Sequence, residues 1–103
     1  MGMDPRKLQK QMMDALAQAQ QLQQEAEREI VEASAGGGMV TVKANGAGEV
    51  VEIRIDPKAV DPDDPELLAD MVLAAVNEAL RSGRKLMESK MGGLMGGLGL
   101  PGL

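Results

Sequence analysis

One stretch of this chain, GMVTVKANGAGEVVEIRID at residues 38–56, alternates apolar and polar side chains like a strand and lies between two long segments patterned like helices. Alternation with period two puts Val40, Val42 and Ala44 on one face of a strand, and Val51, Ile53 and Ile55 on one face of the next. Between them NGAG is a turn signal, because Asn and Gly tolerate the backbone angles of a tight hairpin. Upstream, Ile30 and Val31 open a short extended run to Ala35, and the three glycines at 36–38 turn the chain back. The expectation is a three-stranded antiparallel meander with one strongly apolar face.

The segment before the meander reads as a helix from Pro5 to Arg28. Asp4 is its N-cap and Pro5 its first residue, where proline's missing N–H costs nothing. Leu8, Met12, Ala15, Ala19, Leu22 and Ala26 recur at four and three residues, a narrow seam suited to one partner helix. Three heptads are few for a free coiled coil, so pairing of two such helices in a dimer is expected over packing within one subunit. After the meander, DPKAVDPDDPE is a loop punctuated by prolines. Asp64 before Pro65 caps a second helix, whose stripe of Leu68, Met71, Val72, Ala75, Val76, Ala79 and Leu86 is wide enough to cover the sheet. The final MGGLMGGLGLPGL is expected to be too glycine-rich to hold a helix. This divides the chain into a domain at 1–91 and a flexible Gly/Leu/Met-rich tail at 92–103. The fold class is α+β, in the order α-β-β-β-α.

Composition says how such a domain must be held together. The 103 residues include no Phe, Tyr or Trp and nine Met, so aliphatic side chains do all the packing and a core shared between subunits is expected. Without Cys or His there is no disulfide framework, no thiolate and no imidazole for acid–base work or metal binding. Nothing resembles a signal peptide and the apolar runs are far shorter than a membrane span, so a soluble cytoplasmic protein is expected. Enzymatic readings fail for want of parts. Thr41, Ser34, Ser82 and Ser89 are the only hydroxyls and local spacing places no base beside them. GAGEVV lacks the third glycine of a dinucleotide fingerprint and leads into a strand. Asp61, Asp63, Asp64 and Glu66 form the best metal candidate, but a calcium loop's central glycine is missing and carboxylates at a helix N-terminus have a simpler role against its dipole. No catalytic residue, metal or cofactor is expected.

Charge is unevenly laid out. The formal net charge is -5, yet residues 49–70 alone carry eight acids against Arg54 and Lys58, while residues 1–28 balance at zero and residues 71–90 carry +2. A simple basic nucleic-acid binder is excluded by the total, since phosphate neutralisation drives such binding, but both helices keep a partly basic outer side. Arg6, Lys7, Lys10 and Arg28 lie away from the first helix's seam, near Gln21 and Gln24, and Arg81, Arg84 and Lys85 lie opposite the second helix's stripe. A solvated face with internal pairs such as Arg84 with Glu88 competes with a binding role. Lacking stacking aromatics, any nucleic-acid contact would rest on phosphates and shape.

Four segments together resemble the YbaB/EbfC family of nucleoid-associated proteins: LQKQMMDALAQAQQLQQE, GGGMVTVKANGAGEVVEIRIDP, LLADMVLAAVNEAL and the Gly/Leu/Pro tail. The ordered combination of V-x-V-x-x-N-G, I-x-I-D-P and A-x-N-x-A carries the resemblance. It implies a homodimer whose first helices project like tweezers. It also implies binding of DNA with little sequence preference, altered DNA conformation, and roles in nucleoid organisation, gene regulation and DNA protection without catalysis. Within that frame Arg6, Lys7, Lys10, Arg28, Arg81, Arg84 and Lys85 are the DNA-binding candidates, chosen by charge. Val40, Val42, Val51, Ile53 and Ile55 are the candidates for the dimer and core. The rival reading is a dimeric adaptor holding a recombination or repair protein between its helices.

Overall fold

The computed structural model describes residues 4–97. Helix α1, Pro5–Arg28, leads into strands β1, Ile30–Ala35, β2, Val40–Asn45, and β3, Val50–Ile55; a single 3₁₀ turn, Pro57–Ala59, precedes helix α2, Pro65–Gly97. Both N-terminal signals act as read: Asp4 accepts from the Arg6 amide at 3.0 Å and Asp64 accepts from the Leu67 amide at 3.2 Å, each satisfying an amide that the helix leaves unpaired. The strands form one antiparallel sheet in the order β1-β2-β3.

The core is small and lies between α2 and the inner face of β2. Val40, Val42, Ala44, Ala75 and Ala79 are sealed from solvent, with Val31, Ala33, Ala35, Leu68, Met71, Val72, Val76 and Leu80 packed around them. Leu80 fills a place missing from the expected stripe, while Leu86 is only half-buried.

Coverage of the sheet is narrower than expected. Cross-strand partners share a face, so Ile53 and Ile55, paired with Val42 and Val40, lie on the core side. Yet Val51, Ile53 and Ile55 are 50, 46 and 37% exposed. A helix is about 10–12 Å across and strands sit about 4.8 Å apart, so a lone helix roofs two strands and leaves the third open. β3 also carries a bulge, because Lys43 pairs with Glu52 but Ala44 with Val50, leaving Val51 as the extra residue.

Two other expectations change. α2 runs on to Gly97, past the point at which glycine was expected to stop it. Extending a formed helix adds one hydrogen bond per residue fixed, and each Gly costs only about 1 kcal/mol relative to Ala. The rest of the expected tail, residues 98–103, lies outside the described residues. The seam of α1 is not covered within the chain either, since only Ala26 is buried. With α1 extended, the molecule measures 74 × 24 × 16 Å and has a radius of gyration of 20.1 Å, against about 13 Å for a compact chain of this length.

Candidate nucleic-acid interface

The cationic candidates are positioned by one joint, the β2–β3 turn. Asn45 is buried, and its Oδ1 accepts from the amides of Ala47 and Glu49, both at 3.0 Å, while its Nδ2 donates to Glu49 Oε1 at 3.3 Å. The left-handed backbone angle expected near Asn45 falls on Gly48 instead, so Asn45 works through its side chain, as an Asx turn. Next to it the Gly46 amide donates to the Ala26 carbonyl at 2.8 Å, and a Cβ on Gly46 would lie 3.0 Å from that of Ala26. On the other flank α2 comes so close that a Cβ on Gly83 would lie 2.5 Å from the Asn45 carbonyl oxygen. An ion pair between Lys90 and Glu29 ties α2 to the end of α1. Hydrogen bonding to Glu29 holds the Lys90 ammonium above its ordinary pKa, against the smaller opposing effect of desolvation.

From this joint α1 reaches outward for about 32 Å between Ala26 and Pro5 at 1.5 Å per residue. Arg6 and Lys7 stand in its first turn, with Lys10 one turn on, and all three are exposed. That first turn has no acid, so two cations sit at the positive end of the helix dipole, an arrangement that costs roughly 0.3–1 kcal/mol per charge. Stability does not account for them. Arg28 lies at the anchored end, about 33 Å from Arg6 by helical rise, so the α1 candidates form two stations and not one patch. Between them a shallow depression of about 410 Å³ is lined by Ala17, Gln20, Gln21, Gln24, Glu25 and Arg28; its walls all belong to α1.

The α2 candidates flank Gly83 beside the joint. Arg81 is committed to Glu78 through hydrogen bonds of 2.8 and 3.2 Å, which, with the charge of Arg81, lower the Glu78 pKa. Arg84 does not pair with Glu88; both line a shallow apolar depression with Met87, Met91 and the turn glycines. Among the described residues, Arg6, Lys7, Lys10, Arg28, Arg84 and Lys85 form no ion pair. By contrast, on the sheet's outer face Glu52 engages both Lys43, at 3.5 Å, and Arg54, at 3.3 Å.

Acids gather at the other end of the sheet. The Asp56 amide donates to the Met39 carbonyl at 2.8 Å, which fixes the loop beside the β1–β2 turn and away from α1. Asp61 Oδ1 accepts from the Asp63 amide at 2.9 Å and Asp64 caps α2, so the former metal candidates serve turn and cap. Among the described residues no three acids converge as a cation site, and no helix is long and apolar enough to cross a membrane.

Reading the sequence missed Gly83 and Lys90. An isolated glycine inside a helical pattern is the signal that marks the first, since it costs stability unless close packing needs it; nothing local marks the second.

A sequence profile described as the YbaB/EbfC DNA-binding family matches residues 1–98. Among similar chains, a nucleoid-associated protein of Moorella thermoacetica is 50% identical over 103 residues, covering 99% of both chains. Another, of Pelotomaculum thermopropionicum, is 47% identical over 100% of this chain and 98% of its own. In three dimensions the fold is similar to the crystal structure of the uncharacterized protein HP0035 from Helicobacter pylori, with a TM-score of 0.79 and 24% identity over 91% of this chain and 99% of that one. These comparisons lend no support to the adaptor reading. A helix–meander–helix body of this topology and a profile match across nearly its whole length agree: the chain belongs to the YbaB/EbfC DNA-binding family.

Proposed function

We propose that this protein is a nucleoid-associated protein of the cytoplasm that binds DNA as a homodimer, with little sequence preference, and alters its conformation. Its roles are in nucleoid organisation, gene regulation and DNA protection, and it performs no catalysis. The observation that carries the reading is the segregation of charge: exposed cations without ion-pair partners stand on a projecting helix, while the acids cluster beyond the opposite end of the sheet. A polyanion approaching the arm meets Arg6, Lys7 and Lys10 first, with Arg28, Arg84 and Lys85 at its base, so the net charge of -5 does not set the local field. Arg81 contributes after release from Glu78. With no aromatic side chain in the protein, contacts are to phosphates, which carry no sequence information.

The dimer uses the apolar strip that α2 leaves open. Val51, Ile53 and Ile55 supply its floor, and the flank of α2 bearing Leu73, 60% exposed, supplies a wall; a second copy covers both, while Val40 and Val42 serve the core of each protomer. The functional unit is residues 1–91, with the tail appended. A gel-shift titration over salt, with scrambled duplexes as competitors, tests the reading. Equal competition by all duplexes and a steep loss of affinity with salt are expected. Binding of one sequence far above the rest, or no binding at low salt, would overturn it.

A further inference from the structure

The arm has a second side that the DNA reading leaves unused. At 100° per residue, Leu8, Met12, Ala15, Leu16, Ala19 and Gln23 fall within one 100° arc of α1. The only charges between Leu8 and Gln23, Lys10 and Asp14, lie on the opposite side. This uncharged face is open to solvent, with Met12 at 66% and Leu16 at 61% exposed. It cannot serve phosphates. It stands about 15–27 Å along the arm from Ala26, well clear of the β3 strip.

Area and charge together point to its occupant. The chain exposes 7571 Å², whereas a compact protein of 10.8 kDa would expose about 5,500 Å². A standard interface covers about 800 Å² per partner, so one dimer interface leaves a surplus. The charges of α1 run against its own dipole: Arg6, Lys7 and Lys10 at the N-terminal end, Glu25 and Glu27 at the C-terminal end, with Arg28 facing away from the seam. A parallel neighbour would bring like-charged tips together. An antiparallel one sets each basic tip beside the acids of the other, opposes the two dipoles, and lets Ala15 and Ala19 bring the helices close.

We propose that this face of α1 packs against the same face of α1 from a second copy, antiparallel, as a self-association surface separate from β3, so that dimers join into tetramers through their arms. The inference takes the β3-mediated dimer as its starting unit. Leu16 lies near the midpoint of such a pair, whereas residue 8 of the two copies would be about 25 Å apart along the helices.

Sedimentation velocity of the full chain without DNA, at rising concentration, tests this against Leu16→Glu, which sets two carboxylates together at the centre of the pair. Because Leu16 touches no core residue, far-UV circular dichroism of the variant should match that of the original protein. A tetramer halved to a dimer by the substitution supports both readings. A dimer reduced to a monomer upholds arm pairing and removes the β3 dimer instead. Equal masses for the two proteins, whether monomer or dimer, overturn the inference. The chain has no native Cys, so oxidation reads the direction directly: crosslinking of Leu16→Cys but not Leu8→Cys is expected, and equal crosslinking of both contradicts an antiparallel pair.

Discussion

The body and the arm of this molecule spend their apolar residues differently. In the body, Val40 and Val42 are fully sealed beneath α2; on α1, Met12, Met13 and Leu16 remain more than 60% exposed. Body residues are placed by what they bury, and arm residues by what they can reach. The boundary is the Asn45–Gly46 turn, where Ala26 is the last α1 side chain fully drawn into the body. A substitution on the body side should therefore register in folding, and one on the arm side in assembly or DNA binding.

The comparison breaks most visibly at its sealed end. Val42→Asp places a carboxylate where nothing pairs with it, and a loss of several kcal/mol is expected; circular dichroism should show an unfolded chain, and a cooperative melt near the original temperature would contradict the assigned core. Gly83→Ala comes next. Its Cβ would press on the Asn45 carbonyl, backbone that cannot yield as a side-chain tip would, so chemical denaturation should show destabilisation of about 1–3 kcal/mol. Ile53→Asp sharpens the boundary, because this residue faces the core side yet is nearly half exposed. Sedimentation should find the dimer lost while helix content persists, and unfolding would show that α2 alone cannot maintain the protomer.

The weakest expected effect concerns pH. Lys90 titrates above its ordinary value because Glu29 holds its charged form, so the tie between the helices is complete below the lysine value of 10.5 in the unfolded chain and is lost as pH rises through the higher folded value. Thermal melts from neutral to strongly alkaline pH should show Lys90→Gln converging on the original protein only at the alkaline end. The pair is too exposed for the gap to be large.

Local chemistry made much of this architecture legible. Asp4 with Pro5 marked the start of α1, and the alternation of Val40, Val42 and Ala44 marked the buried face of β2. Three features needed the third dimension. The width of one helix decides that β3 stays open, and no pattern within VVEIRI announces it. The approach of Gly83 to Asn45 joins residues far apart in the chain, though a mid-helix glycine is a hint. The run of α2 to Gly97 depends on helix already formed upstream, which composition of the tail alone does not register. Charge identified the cations of the candidate interface, but only the fold separates Arg81, held by Glu78, from Arg84 and Lys85, which have no ion pair among the described residues. The division of α1 into a basic tip and a basic base follows from its rigid length.

The most direct test of the central claim, that the arm binds DNA and the body carries the fold, replaces Arg6, Lys7 and Lys10 together with Gln and measures both melting temperature and DNA affinity against salt. Removing cations from the positive end of α1 should leave the melt unchanged or slightly higher, while the slope of log K against log salt becomes shallower by up to about 0.9 for each phosphate no longer neutralised. An unaltered slope would move the DNA to another surface, and a fall in melting temperature would show that the tip belongs to the folding unit after all.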